Sequence, residues 1–240
     1  MRYAILVSGG GTTAEQIIQA CYMPDGLLNG LVEPACLIVS KAKIPAIKRA
    51  IDAGMPKKHI YICDPKDFTS PIQFGDELLR IFRQEKIDWF GQHGWLPKTP
   101  EKVVKEFFGI NQHPGPVPYF GGQGMYGIRV HAAVLNYYHL ARRCSTYTEA
   151  VAQLVAKDYD KGQVIVSLPV EIYDDDTPET LQNRVLPIEH LAQILAIRKI
   201  AITGGALPSC SSPYPCVRYL VQSDQDNLAI AKRQAIAKYP

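Results

Sequence analysis

The sequence has no apolar run long enough to span a bilayer, so no membrane partner is expected. No pair among its six cysteines has C-x-x-C spacing, which leaves zinc and thioredoxin-like readings without support. Charge of one sign is scarce. Lys plus Arg number 26 against 23 Asp plus Glu, and at a net charge of +3 nothing argues for a dedicated nucleic-acid or membrane surface. There is no internal repeat and no long linker. The N-terminal apolar run meets glycines instead of a small-residue cleavage site, so it reads as a first strand and not a signal peptide. A cytoplasmic location is expected. There, Cys21, Cys36 and Cys63 act as small hydrophobes. Cys210 and Cys216 flank a Ser/Pro/Tyr loop and could bridge, although two thiols suit that compartment better.

What is present is an alternation of strands and helices. Strands are expected at 2–8, 35–40, 59–63 and 88–92, with helices at 13–22, 44–53 and 74–85 between them. That order predicts a parallel sheet with right-handed crossovers. Ligands of such sheets bind at the carboxyl ends of the strands. A short helix (101–107), a strand (109–112) and a glycine-rich loop lead into a helix over 130–138. Two late strands, 148–156 and 163–170, precede a helix capped by Asp176 or Thr177, with Pro178 in its first turn, running to about residue 200. The tail from Gly204 is proline-rich, with a last short helix over 226–237. The fold class is α/β and Rossmann-like, with about seven strands, mostly parallel and antiparallel late in the chain. The expected division is a domain over 1–203 and an extension over 204–240.

Three segments carry chemistry. Ser8-Gly9-Gly10-Gly11-Thr12-Thr13 joins a strand to a helix, where unpaired amides and the helix dipole favour an anion such as a phosphate monoester. No Lys follows the glycines, so it is not a Walker A loop. Gly9, Gly11 and Ala14 fit a dinucleotide pattern, but Lys41 stands where an acidic residue would hold a ribose. The plain alternative is a tight turn. Asn111 and His113 are two apart and share a side of an extended segment. An amide and an imidazole there can hold an oxyanion, or simply make turn hydrogen bonds before Pro114. Asp160, by itself, is a turn residue. His93, at a strand end, is a candidate for lining the site by that position alone; His59, His131, His139 and His190 read as surface or structural.

Together these motifs resemble the folate-dependent formyltransferases, of the glycinamide ribonucleotide transformylase type. Ile5-Leu6-Val7-Ser8 and its glycine loop, Ile110-Asn111-Gln112-His113-Pro114, Pro118-Tyr119-Phe120-Gly121-Gly122, Asp160-Lys161-Gly162-Gln163-Val164-Ile165 and Asp176-Thr177-Pro178-Glu179 with Glu189-His190 occur in that family's order over about residues 1–200. The resemblance implies that Asn111 and His113 polarise a formyl group and hold the tetrahedral oxyanion. Asp160 would stabilise protonated His113 and assist proton transfer. Gly10, Gly11, Thr12, Thr13 and Glu189 would bind a phosphorylated amine, glycinamide ribonucleotide. Gly94, Leu96, Pro97, Lys98 and Thr99 would line the site of 10-formyltetrahydrofolate, with no metal. The sequence departs from the family at Thr13, Pro97, Lys98, Gly115 and Gln153, in an insertion near 138–148, and in its tail. Other acceptors (an amino-sugar nucleotide), a nucleotide-binding oxidoreductase and a non-catalytic folate- or phosphate-binding homologue are the rival readings. Oligomeric state, a homodimer included, stays open.

Overall fold

In a computed structural model, residues 1–141, 147–206 and 224–239 are described. The chain forms one seven-stranded mixed sheet, parallel in its early strands and antiparallel in its last pair, in the order β3-β2-β1-β4-β5-β6-β7. Its residues group into two compact units, 1–112 with 193–208 and 113–192 with 209–240.

The first unit holds β1 (Arg2–Val7), α1 (Thr12–Tyr22), β2 (Glu33–Val39), α2 (Pro45–Asp52), β3 (Ile60–Ile62), α3 (Pro71–Gln84), β4 (Trp89–Gln92) and α4 (Glu101–Glu106). β1 and β2 are near-continuous apolar runs because a central parallel strand is covered on both faces. On α1, Ala14, Ile17, Ile18 and Cys21 recur at helical spacing and all are buried. α3 begins three residues earlier than its apolar pattern suggests. Ser70 caps it by accepting from the Gln73 amide at 3.3 Å, and Pro71 supplies the first turn. Tyr3, Leu37, Ile38, Phe82 and Phe90 fill the core.

β5 (Phe108–His113) runs up to the unit boundary and ends on His113. The second unit holds α5 (Ile128–Leu140), β6 (Tyr147–Leu154), β7 (Val164–Glu171) and α7 (Gln225–Lys238). The long α6 (Pro178–Ile202) starts there as well. Thr177, not Asp176, caps α6, its hydroxyl accepting from the Thr180 amide at 3.2 Å. Asp176 instead takes both guanidinium nitrogens of Arg184, at 2.6 and 2.7 Å, which pulls its carboxyl down to about 2. Phe120, Val130, Tyr137, Leu181, Val185 and Leu228 form this unit's core. The tail helix expected over 226–237 is α7.

Cys21, Cys36 and Cys63 are buried free thiols, and burial pushes Cys21 and Cys63 up to about 12. Cys144, Cys210 and Cys216, and the possibility of a Cys210–Cys216 bridge, lie outside the described residues. No helix among the described residues is long and apolar enough to cross a membrane.

Candidate active site

In the first unit, three strand ends are tied together by one hydroxyl. Ser8 Oγ, just past β1, accepts from Ser40 Oγ at 2.7 Å and from the Leu96 amide at 3.0 Å. The Ser8 amide donates to the Gly94 carbonyl at 3.0 Å. Gly11 opens α1 with φ 76°, and a Cβ on it would lie 2.5 Å from the Ala46 Cβ. Both the backbone conformation and the approach of α2 therefore demand glycine. Gly10 faces open space and is exposed, Thr12 is half-buried, and Thr13 is buried. No side chain caps α1, which leaves its first amides directed to this loop.

The loop after β4 carries the residues expected around the folate. Gly94 has φ 75°, Leu96 is an exposed apolar side chain, and Lys98 is exposed beside half-buried Pro97. Thr99 is buried and its hydroxyl takes the Gln92 amide at 2.6 Å, so its side chain secures the loop. His93, a candidate for lining a site, is instead buried with Nε2 3.0 Å from Tyr3 Oη. Gly91 makes room for that pair, since a Cβ there would collide with both. Asn111 is a half-buried residue of β5, in register with Gln92.

In the second unit, His113 is 3% exposed and meets two groups. Nε2 lies 3.1 Å from the Phe120 carbonyl, which can only accept, so the proton sits on Nε2. Nδ1 then presents its lone pair on the side of Asp160, whose Oδ1 is 3.5 Å away. That gap is longer than a hydrogen bond, and it leaves Nδ1 able to exchange a proton. Asp160 itself is held tightly. Oδ1 accepts from Gln153 Nε2 at 2.9 Å and Oδ2 from the Gly122 amide at 2.8 Å. Its backbone has φ 54°, a conformation that Asp and Asn tolerate better than most residues. Gly121 and Gly162 are both forced: a Cβ on Gly121 would strike the Asp160 side chain, and one on Gly162 the Leu154 carbonyl.

Burial lowers the pKa of His113, and this outweighs the upward pull of Asp160 and the Phe120 carbonyl; Lys232 adds to the lowering. The expected effect of Asp160 is thus present, but the net direction is downward. At neutral pH the imidazole is a neutral base with a carboxylate waiting beside it. His131, 1% exposed, is held at about 3 by burial and by the nearness of His113. Glu189 is buried on α6.

Sequence reasoning singled out Asn111, His113 and Asp160 but not the groups that fix them: the Phe120 carbonyl, the Gly122 amide and the direct bond from Gln153. Backbone partners leave no residue-type signal. Gln153, one of the positions at which the sequence departs from the family, binds Asp160 itself.

The fold is shared with solved proteins. Glycinamide ribonucleotide transformylase 1 from Symbiobacterium toebii superposes with a TM-score of 0.72 over 85% of this chain and 88% of its own, at 23% identity. Phosphoribosylglycinamide formyltransferase from Brucella melitensis does so at 0.68, covering 87% and 98%, at 26% identity. The Formyl transferase family profile matches residues 1–197, and the chain belongs to that family. A chloroplastic phosphoribosylglycinamide formyltransferase of Arabidopsis thaliana is 33% identical over 79% of this chain, which spans 61% of that relative's length.

Proposed function

We propose that the protein transfers a formyl group from 10-formyltetrahydrofolate to the amine of glycinamide ribonucleotide. The observation that carries this reading is the buried His113–Asp160 pair, with its carboxylate held by Gln153 and Gly122. The names of the Symbiobacterium, Brucella and Arabidopsis proteins support the acceptor.

His113 Nδ1 takes up the proton that the attacking amine loses, directly or through water. The imidazolium so formed is stabilised by Asp160 and donates toward the developing oxyanion. Asn111 supplies a second donor, and such donors are worth about 3 kcal/mol each. Collapse of the tetrahedral intermediate returns the proton to the departing folate nitrogen, so protons balance over the cycle. Gly10, Gly11, Thr12 and Thr13 at the uncapped start of α1 suit the acceptor's phosphate, and Glu189 its remaining polar groups. Gly94, Leu96, Pro97, Lys98 and Thr99 form the proposed donor loop, where Leu96 offers an exposed apolar face. Residues 1–203 carry this chemistry and 204–240 extend it. The cytoplasm is the proposed compartment, although the Arabidopsis relative is named chloroplastic.

The test is single-turnover and steady-state formyl transfer by purified protein, with His113→Ala as control. Turnover that His113→Ala abolishes is expected. Folate binding without transfer to this amine would redirect the reading to another acceptor, and no folate binding would overturn it.

A further inference from the structure

The chain's last helix, α7, grips the loop that frames His113 and Asp160. Lys232 Nζ donates to the carbonyls of Tyr119, at 3.2 Å, and Gly121, at 2.6 Å. Between and beside these, the Phe120 carbonyl accepts from His113 and the Gly122 amide donates to Asp160. The carbonyls of 119, 120 and 121 thus turn to the ammonium, the imidazole and the ammonium in succession, and the 121–122 peptide group bridges Lys232 to Asp160. An ammonium carries three donors and no acceptor, which suits it to gather two carbonyls of one loop. The same helix is anchored twice more. Arg129 Nε donates to the Tyr239 carbonyl at 2.6 Å while its Nη1 donates to the Gly124 carbonyl at 2.9 Å. Leu228, Ala231 and Ala235 lie in one core cluster with Phe120 and Met125.

We propose that Lys232 is a positioning residue: by holding the Tyr119 and Gly121 carbonyls it sets where the Phe120 carbonyl and the Gly122 amide meet His113 and Asp160. The C-terminal helix is therefore part of what poises the pair. Its partly buried ammonium has a lowered pKa from desolvation, opposed by Asp160 and reinforced by Lys161. The charged and titratable groups that influence His113 are Asp160, Lys232 and His131. The turnover part of the test rests on the formyl-transfer reading; the other parts do not.

The experiment compares Lys232→Met, Lys232→Arg and, as a control on the exposed side of α7, Arg233→Met in the full chain. Amide exchange across 119–122, the NMR titration of the His113 imidazole, and kcat and KM are read together. In Lys232→Met, exchange should speed about tenfold and the His113 titration should move upward, because a nearby positive charge is gone. kcat should fall about tenfold with KM little changed. Lys232→Arg should restore most of each, and Arg233→Met should match the unaltered protein. If Lys232→Met melts too early, Lys232→Gln, which keeps an amide donor but not the charge, should give intermediate exchange and the same upward move of the His113 titration. Exchange and His113 titration unchanged in the Met or Gln variant would overturn the proposal. An unaltered protein that transfers no formyl group would sink the functional reading while exchange and titration still decide this one.

Discussion

Two polar constructions in this molecule are built in opposite ways. The loop over 8–13 takes its conformation locally, from consecutive glycines, one positive φ and a helix start without a side-chain cap, and its serine reaches Ser40 and Leu96 beyond the ends of two other strands. The His113–Asp160 cluster is assembled from side chains and peptide groups at 113, 120, 122, 153, 160 and 232. A local loop tolerates change wherever space is open. A long-range cluster puts each bond at risk from changes elsewhere, and its burial makes every charge in it matter more.

The strongest way to break this contrast is Asp160→Asn. Asn tolerates the left-handed backbone at that position, so the variant removes charge without straining the turn. Loss of about 10³-fold in kcat is expected, with a modest fall in melting point because one of the two donors to the carboxylate then faces an N–H. A loss under about threefold would deny the carboxylate its role.

Gly11→Ala attacks the local loop instead. It adds a strained backbone and a collision with Ala46, and should cost roughly 3 kcal/mol by urea unfolding. A cost near zero would mean that α2 yields easily.

The acid response separates the regions further. The folded chain holds His131 at about 3, while the unfolded chain binds that proton near 6.5. Stability should therefore fall as pH drops from about 6.5 toward 3, by up to about 1.4 kcal/mol per unit from this residue. Burial gives His113 the same direction. Urea unfolding of His131→Gln between pH 7 and 4.5 should show a correspondingly flatter slope, and parallel slopes would contradict this.

The smallest effect on stability is expected from Gly10→Ala, whose Cβ meets nothing within 4 Å. If the loop takes a phosphate, this variant should raise KM for the phosphorylated amine several-fold while the melting point stays put. Unchanged KM would leave the loop a turn.

The first half of the fold was legible because its strands are apolar runs of the right length and its helices carry periodic apolar faces, as in α1. Thr177 as the cap of α6 was within reach of the sequence, one residue from an equal competitor. His93 was less legible: a strand-end histidine reads as a ligand candidate, and only its contact with Tyr3 beneath Gly91 makes it a core residue.

Sequence by itself determined the order of elements, through periodicity and turn chemistry carried by short stretches, and its resemblance to the formyltransferases marked His113 and Asp160 as a candidate pair. Tertiary structure alone decided that Gln153 binds Asp160 directly, that the Phe120 carbonyl fixes the tautomer of His113, that burial overrides the carboxylate in setting the imidazole's charge, and that Lys232 from the last helix holds the loop between them. The reason is physical: hydrogen-bond geometry and desolvation depend on what folding brings within a few ångströms, and backbone groups, identical at every position, announce nothing in the sequence.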